Sequence, residues 1–270
     1  MPYSTNAIDG YRVYLEDEGG PGTPVIMHGG FLDQIELVRA SPLARSLEPY
    51  REEFRLVYVD HRGHGKSDKP HDPASYAMPI RVEDAISVLT FLGLDRAHFV
   101  GASWGARLGF GIGAHAPERV LSLITIGQQP YAIDPEGPLV RLVGKALAES
   151  RSHGIGSLVE AFESIVGRYP EPVRKIYLAS DAVAMRAAWS AAINEGAISE
   201  DLSAWAVRCL IVVAADDVDF SEQARRAADE IPGALFLELE DQDHLGVDTA
   251  EVAPLLPAVL QTLRAGSEPR

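Results

Sequence analysis

The chain reads as an α/β protein: a mostly parallel sheet covered by helices on both faces, with one helical insertion. Three observations predict this. Short β-type runs alternate with helical patterns through the first half, which is how a parallel sheet and its crossover helices look in sequence. The alternation resumes at Cys209 and continues towards the end. Between the two sections, residues 127–206 hold helical patterns but no convincing strand.

Taken in order, strands are expected at 12–15, 25–27, 56–60, 97–101 and 120–126. Residues 80–92 place apolar side chains at Ile80, Val82, Ile86, Val88, Leu89 and Leu92 with charges at Arg81, Glu83 and Asp84, the pattern of an amphipathic helix. In the insertion, 158–166 and 182–193 read as helices, and Pro130, Pro135, Pro138, Pro170 and Pro172 mark turns between short helical pieces. The second section holds a strand at 209–214, a polar helix at 221–230, a strand at 234–239 and a final helix near 251–263. The tail at 265–270 is expected to fray. These elements divide the chain into a core formed by 1–126 and 207–270 and a helical insertion formed by 127–206.

Composition narrows the function. With 270 residues, 46% of them hydrophobic and 23% charged, the chain can bury a substantial core and needs no cofactor to hold it together. A net charge of -15 repels phosphate backbones and anionic membrane surfaces, and no dense Lys/Arg cluster offsets it, so nucleic acid and membrane are poor partners. Cys209 is the single cysteine and sits in an apolar run, which excludes an intramolecular disulfide and a CxxC site and suits a buried structural thiol. The N-terminal MPYSTNAIDG lacks the charged and apolar regions of a secretion signal, and no apolar run is long enough to span a bilayer. A cytoplasmic protein is therefore expected, and a homodimer is compatible with the sequence.

The chemistry centres on Gly101-Ala102-Ser103-Trp104-Gly105, which follows a predicted strand and opens a small-residue helix. That context is a nucleophile elbow, a sharp strand-to-helix turn that exposes a serine hydroxyl. Such a hydroxyl needs a base, the base needs an orienting acid, and the developing oxyanion needs donors. The glycine-rich turn His28-Gly29-Gly30-Phe31 can supply backbone N–H groups at Gly30 and Phe31, joined by that of Trp104. His244 follows the last predicted strand, where loops at carboxyl strand ends bind ligands, and is taken as the base. For the acid, Asp216, Asp217 and Asp219 compete after the strand at 209–214. Asp217 is preferred, three residues past the strand and 27 before His244; Asp219 is the reserve and Asp134 a distant third. The aspartates not used are expected to cap the helix near Ser221. A metal site built from Asp216, Asp217, Asp219, Asp241, Asp243 and His244 is the competing reading, but the spacing lacks a recognised ligand pattern and leaves the elbow without a purpose.

Taken together, HGG at 28–30, DHRGHGKSD at 60–68, GASWG at 101–105, a carboxylate near 217 and DH at 243–244 resemble an α/β-hydrolase over essentially the whole chain. The resemblance implies an eight-stranded, mostly parallel sheet, a cap at 127–206, and a structural loop at 60–67, so His61 and His64 are not carried over as catalytic. Ala214 departs from the glycine that relatives commonly place before the acid loop. The expected activity is hydrolysis of a small-molecule carboxylic ester or lactone by Ser103, His244 and Asp217, with no cofactor and no metal. Amide or carbon–carbon hydrolysis, cofactor-free oxygenation or perhydrolysis, and a non-enzymatic small-molecule receptor are the alternatives. His28, read as a hydrogen-bonding residue that stabilises its loop, Tyr131 and Trp189 are the pocket candidates, with Phe31, Phe162, Tyr169, Tyr177 and Trp205 behind them.

Overall fold

The computed structural model describes residues 2–199, 201–245 and 249–265; the tail at 266–270, part of the stretch expected to fray, lies outside the described residues. Eight strands form one sheet: β1 (Tyr3–Thr5), β2 (Arg12–Asp17), β3 (Thr23–His28), β4 (Phe54–Val59), β5 (Ala97–Ala102), β6 (Val120–Ile126), β7 (Cys209–Ala214) and β8 (Leu235–Leu239). Their order is β1-β2-β4-β3-β5-β6-β7-β8. The pairs β1–β2 and β2–β4 are antiparallel and every other pair is parallel. The sequence pattern found seven of these strands. It missed β1, whose three residues alternate too briefly to register; pairing with β2 through Tyr3 and Tyr14 makes it a strand.

Parallel strands are buried on both faces, and the period of two sorts their side chains into two cores. On one face Ile26, Val57, Phe99, Ile211 and Val213 pack against Val82 and Leu89 of α3 (Met78–Phe91) and Leu108 and Ile112 of α4 (Trp104–His115). The same face takes Ala224 and Ala227 of α9 (Ser221–Glu230). On the other, Val25, Met27, Val100, Ile124 and Val212 meet residues of α1 (Ile35–Ala40), α2 (Pro42–Leu47) and α11 (Leu256–Ala265). All six residues of β7 are buried, so Cys209 is a core residue; its burial pushes the thiol pKa up to about 12, which keeps it inert.

Between β6 and β7 the chain forms α5 (Pro138–His153), α6 (Gly156–Val166), α7 (Glu171–Leu178) and α8 (Ala182–Ile193). They share an apolar cluster that includes Val143, Leu147, Leu158, Val159 and Met185. Arg107 on α4 ties this segment down at both ends: its guanidinium donates to the carbonyls of Gln129 and Tyr131, and it pairs with Glu195 at 3.2 Å. The final helix differs from the single element expected at 251–263. It is split into α10 (Thr249–Val252), a 3₁₀ turn at Ala253–Leu255 and α11, because Pro254 cannot donate a hydrogen bond and crowds the preceding turn. Among the described residues, no helix is long and apolar enough to cross a membrane.

Candidate active site

β5 ends at Ala102 and α4 begins at Trp104, so Ser103 makes the whole turn alone, with φ 46° and ψ −106°. A non-glycine residue in this region is strained and persists only when its surroundings hold it. Here the Ser103 N–H donates to Ile126 O at 2.7 Å and the Gly105 N–H to Gly29 O at 3.0 Å. The flanking glycines are sterically required: a Cβ on Gly101 would stand 2.4 Å from Gly105 carbonyl atoms, and one on Gly105 would stand 2.8 Å from His28 O.

The hydroxyl exposed by this turn lies 2.9 Å from His244 Nε2, and His244 Nδ1 lies 2.7 Å from Asp217 Oδ2. A carboxylate accepts, so Nδ1 carries the proton and the Nε2 lone pair faces Ser103 Oγ. The acid and histidine loops extend the pairing of β7 with β8: Ala215 N–H donates to Leu239 O at 2.8 Å and Asp216 N–H to Gln242 O at 2.9 Å. That zipper brings Asp217 beneath the imidazole, where it is 2% exposed and accepts the Asp219 N–H on its other oxygen.

Of the competing carboxylates, Asp217 reaches His244 and the others do not. Asp216 is exposed, and Asp134 accepts the Glu136 N–H in a turn of its own. Asp219 accepts the Leu139 N–H at 3.0 Å, at the start of α5. The expectation that spare aspartates cap the helix at Ser221 is therefore corrected: α9 has no side-chain cap, and Asp219 serves the positive end of a helix in the inserted segment instead. Gly137 makes room for it, since a Cβ there would overlap Asp219 Oδ1. Among the described residues, no group of three His, Cys, Asp or Glu converges as a metal site.

The expected oxyanion donors divide. The Gly30 N–H is already committed to Asp33 Oδ2 at 2.7 Å, so the structure removes it from the set. The N–H groups of Phe31 and of Trp104, the first residue of α4, have no acceptor among the described residues. Trp104 is held by Arg81, whose guanidinium stacks 4.2 Å from the indole centroid and donates to the Trp104 carbonyl at 3.3 Å. Burial pushes the Arg81 pKa down to about 10.

A cavity of about 260 Å³ opens beside Ser103, walled by Phe31, Trp104, Phe162, Trp189, Phe220 and Leu245. Asp33, Gln128, Tyr169 and Tyr177 add polar atoms. Trp189, Phe162, Tyr169 and Tyr177 thus line it as expected, but three candidates do not. Tyr131 donates to Glu230 Oε2 at 2.9 Å and lies under the Arg226 guanidinium, away from the cavity. Trp205 packs in the core against Phe110 and above Gly113. His28 lies outside the cavity wall, its ring 4.3 Å from that of His61 and 5.1 Å from that of Phe99. Among the described residues neither His28 ring nitrogen has a hydrogen-bond partner, so it supports its loop by stacking and not by the hydrogen bonding expected of it. Burial, aided by the Arg81 charge, pushes its pKa down to about 3 and keeps it neutral.

His61 donates to Gly29 O and His64 to Arg62 O, both buried within the loop at 60–67. Asp60 organises that loop by accepting from the Ile35 and Lys66 N–H groups. The sequence reading gave no role to Asp33 or Arg81; the only local signal for Asp33 was a carboxylate three residues beyond the glycine pair.

Residues 23–149 match the family model described as the alpha/beta hydrolase fold. Epoxide hydrolase 4 of Mus musculus is 32% identical over 80 residues, 30% of this chain; the chain spans only 22% of that relative's length. A proline iminopeptidase of Lacticaseibacillus rhamnosus is 24% identical over 269 residues, covering 88% of this chain and 89% of the relative. A thermophilic esterase from Thermogutta terrifontis superposes with a TM-score of 0.78 at 22% identity, covering 99% of each chain. The sheet order, the elbow and this partial family match agree, and the chain has the α/β-hydrolase fold.

Proposed function

We propose that the protein is a serine hydrolase that cleaves a carboxylic ester or lactone of a small to medium organic molecule through an acyl-enzyme. The observation that carries this reading is the unbroken hydrogen-bonded line from Asp217 through His244 to Ser103, ending beside two N–H groups that have no acceptor among the described residues. His244 Nε2 takes the Ser103 proton as Oγ bonds to the acyl carbon, and the carbonyl oxygen gathers charge facing the Phe31 and Trp104 N–H groups. When the tetrahedral species collapses, the bond to the leaving oxygen breaks and the imidazolium returns its proton to that oxygen. Water then repeats the sequence and releases the acid. Asp217 holds the tautomer and stabilises the imidazolium; no step uses a cofactor. Residues 127–206 act as the cap, and their aromatic side chains suit a compact apolar group.

Ser103 speaks against epoxide opening despite the partial likeness to an epoxide hydrolase, because family members with that activity carry an aspartate at the elbow. The esterase likeness supports ester cleavage. The full-length likeness to an iminopeptidase favours amide hydrolysis as the second reading, with the same residues in the same roles. A panel of activated esters, lactones and amides, run beside Ser103→Ala, tests both. Ester or lactone turnover that falls about 10⁴-fold or more in the variant is expected. Faster amide turnover moves the assignment to the second reading, and stoichiometric binding with no serine-dependent turnover replaces both with a receptor.

A further inference from the structure

The turn that carries the Phe31 N–H is held from its far side. The Asp33 N–H closes the turn on Gly30 O at 3.1 Å, and Leu32 adopts φ 77°, a region an apolar side chain enters only under constraint. Two contacts with the helices between β6 and β7 hold this turn. The Leu32 side chain is fully buried in the cluster containing Leu147, Leu158 and Met185, so returning it to ordinary backbone geometry would pull it out of that core. Asp33 bridges the two parts of the molecule: Oδ2 accepts the Gly30 N–H at 2.7 Å, and Oδ1 accepts the Tyr177 hydroxyl at 2.9 Å from α7. Next to Tyr177, the Ile176 carbonyl accepts from Gln34 Nε2 at 3.4 Å.

This bridge stands close to the reacting groups. The position of a Cβ on Gly30 would lie 3.3 Å from Asp33 Oδ2 and 3.6 Å from Ser103 Cβ, so the carboxyl and the nucleophile flank the same residue. We infer that Asp33 and Tyr177 are positioning residues that tie the Phe31 donor to α7, so that the oxyanion site is complete only while this helix is docked on the core. The inference rests on the acyl-transfer reading above. An oxyanion donor acts only when aimed at the site the charged oxygen will occupy, and losing one typically costs about 10²- to 10³-fold in rate. A donor left in place but loosened costs less. Removal from water raises the Asp33 carboxyl pKa against the pull of its two hydrogen bonds.

The test uses the full chain, a serine-dependent substrate and a boronic acid that forms a tetrahedral adduct with the serine. Tyr177→Phe removes one hydroxyl and keeps the ring. It is expected to lower kcat about 10-fold and weaken the boronic acid in parallel, with KM within about threefold and an unchanged melting temperature. Asp33→Asn still offers an oxygen to Gly30 and is expected to retain most activity, whereas Asp33→Ala loses at least as much as Tyr177→Phe. Serine-dependent turnover that Tyr177→Phe leaves intact, or a change confined to KM, overturns the inference alone. Wild-type turnover no greater than that of Ser103→Ala overturns the hydrolase reading and this inference with it.

Discussion

The cavity has two unlike sides. On the core side, Ser103, Trp104 and His244 stand at strand ends, and main-chain hydrogen bonds determine where each is placed: Ser103 N–H to Ile126 O, Gly105 N–H to Gly29 O, Asp216 N–H to Gln242 O. On the helical side, Phe162, Tyr169 and Trp189 are placed by side-chain packing between helices. Backbone pairing tolerates almost no displacement, whereas packed side chains exchange volume with their neighbours at modest cost. The difference teaches a division of labour in which groups that need tenths of an ångström sit on the sheet, and groups that need only shape sit on the insertion.

The largest effect that would break this division concerns two carboxylates two residues apart. Asp217→Asn leaves the shape intact but presents the wrong partner to His244 Nδ1, and kcat is expected to fall about 10³- to 10⁴-fold. Asp219→Asn, which touches the helical side through the Leu139 N–H, is expected to cost less than about 10-fold. Steady-state kinetics on both variants checks this, and equal losses would erase the distinction. Next in size, Trp189→Ala enlarges the cavity from the helical side and is expected to change the preference between small and bulky acyl groups by about 10-fold, with kcat for the best ester little changed. Tyr131→Ala, aimed away from the cavity, should leave that preference as it is.

The smallest effect sharpens the comparison through stability. The core side rests on the stacked His28, with His61 and His64 beside it, and burial holds His28 at about 3 and His64 at about 4. Unfolded histidines take up protons below about 6.5 while these folded ones do not, so protonation favours the unfolded chain. Stability should therefore be full above pH 6.5 and decline as the pH drops towards 4. Thermal melts across that range check the decline, and His28→Phe, which keeps the stack on Phe99, should flatten it.

Legibility in the sequence follows the same line. The elbow is local as a pattern, glycine, serine and glycine within five residues after a strand; a Cβ on Gly101 would meet Gly105 of the same turn at 2.4 Å, whereas one on Gly105 would meet His28 and Gly29 of another turn at 2.8 to 2.9 Å. The spacing from Asp217 to His244 reflects one helix and one strand, so it too is readable along the chain. Gly30 as a donor was a reasonable expectation from the glycine pair, and it failed because Asp33 claims that N–H. His28 and Tyr131 were placed at the cavity by residue type; long-range neighbours, Phe99 and Glu230, direct them elsewhere.

By itself, then, the order of residues determined the alternating α/β architecture, the helical insertion and the candidates Ser103, Asp217 and His244, because hydrophobic period and turn chemistry act between near neighbours. Tertiary structure alone decided which N–H groups stay unpaired among the described residues, which aromatic side chains face the cavity and how Asp33 joins the turn at Phe31 to α7. Those outcomes depend on atoms that meet across as many as 144 residues of chain, as Asp33 and Tyr177 do, and no local pattern encodes such a meeting.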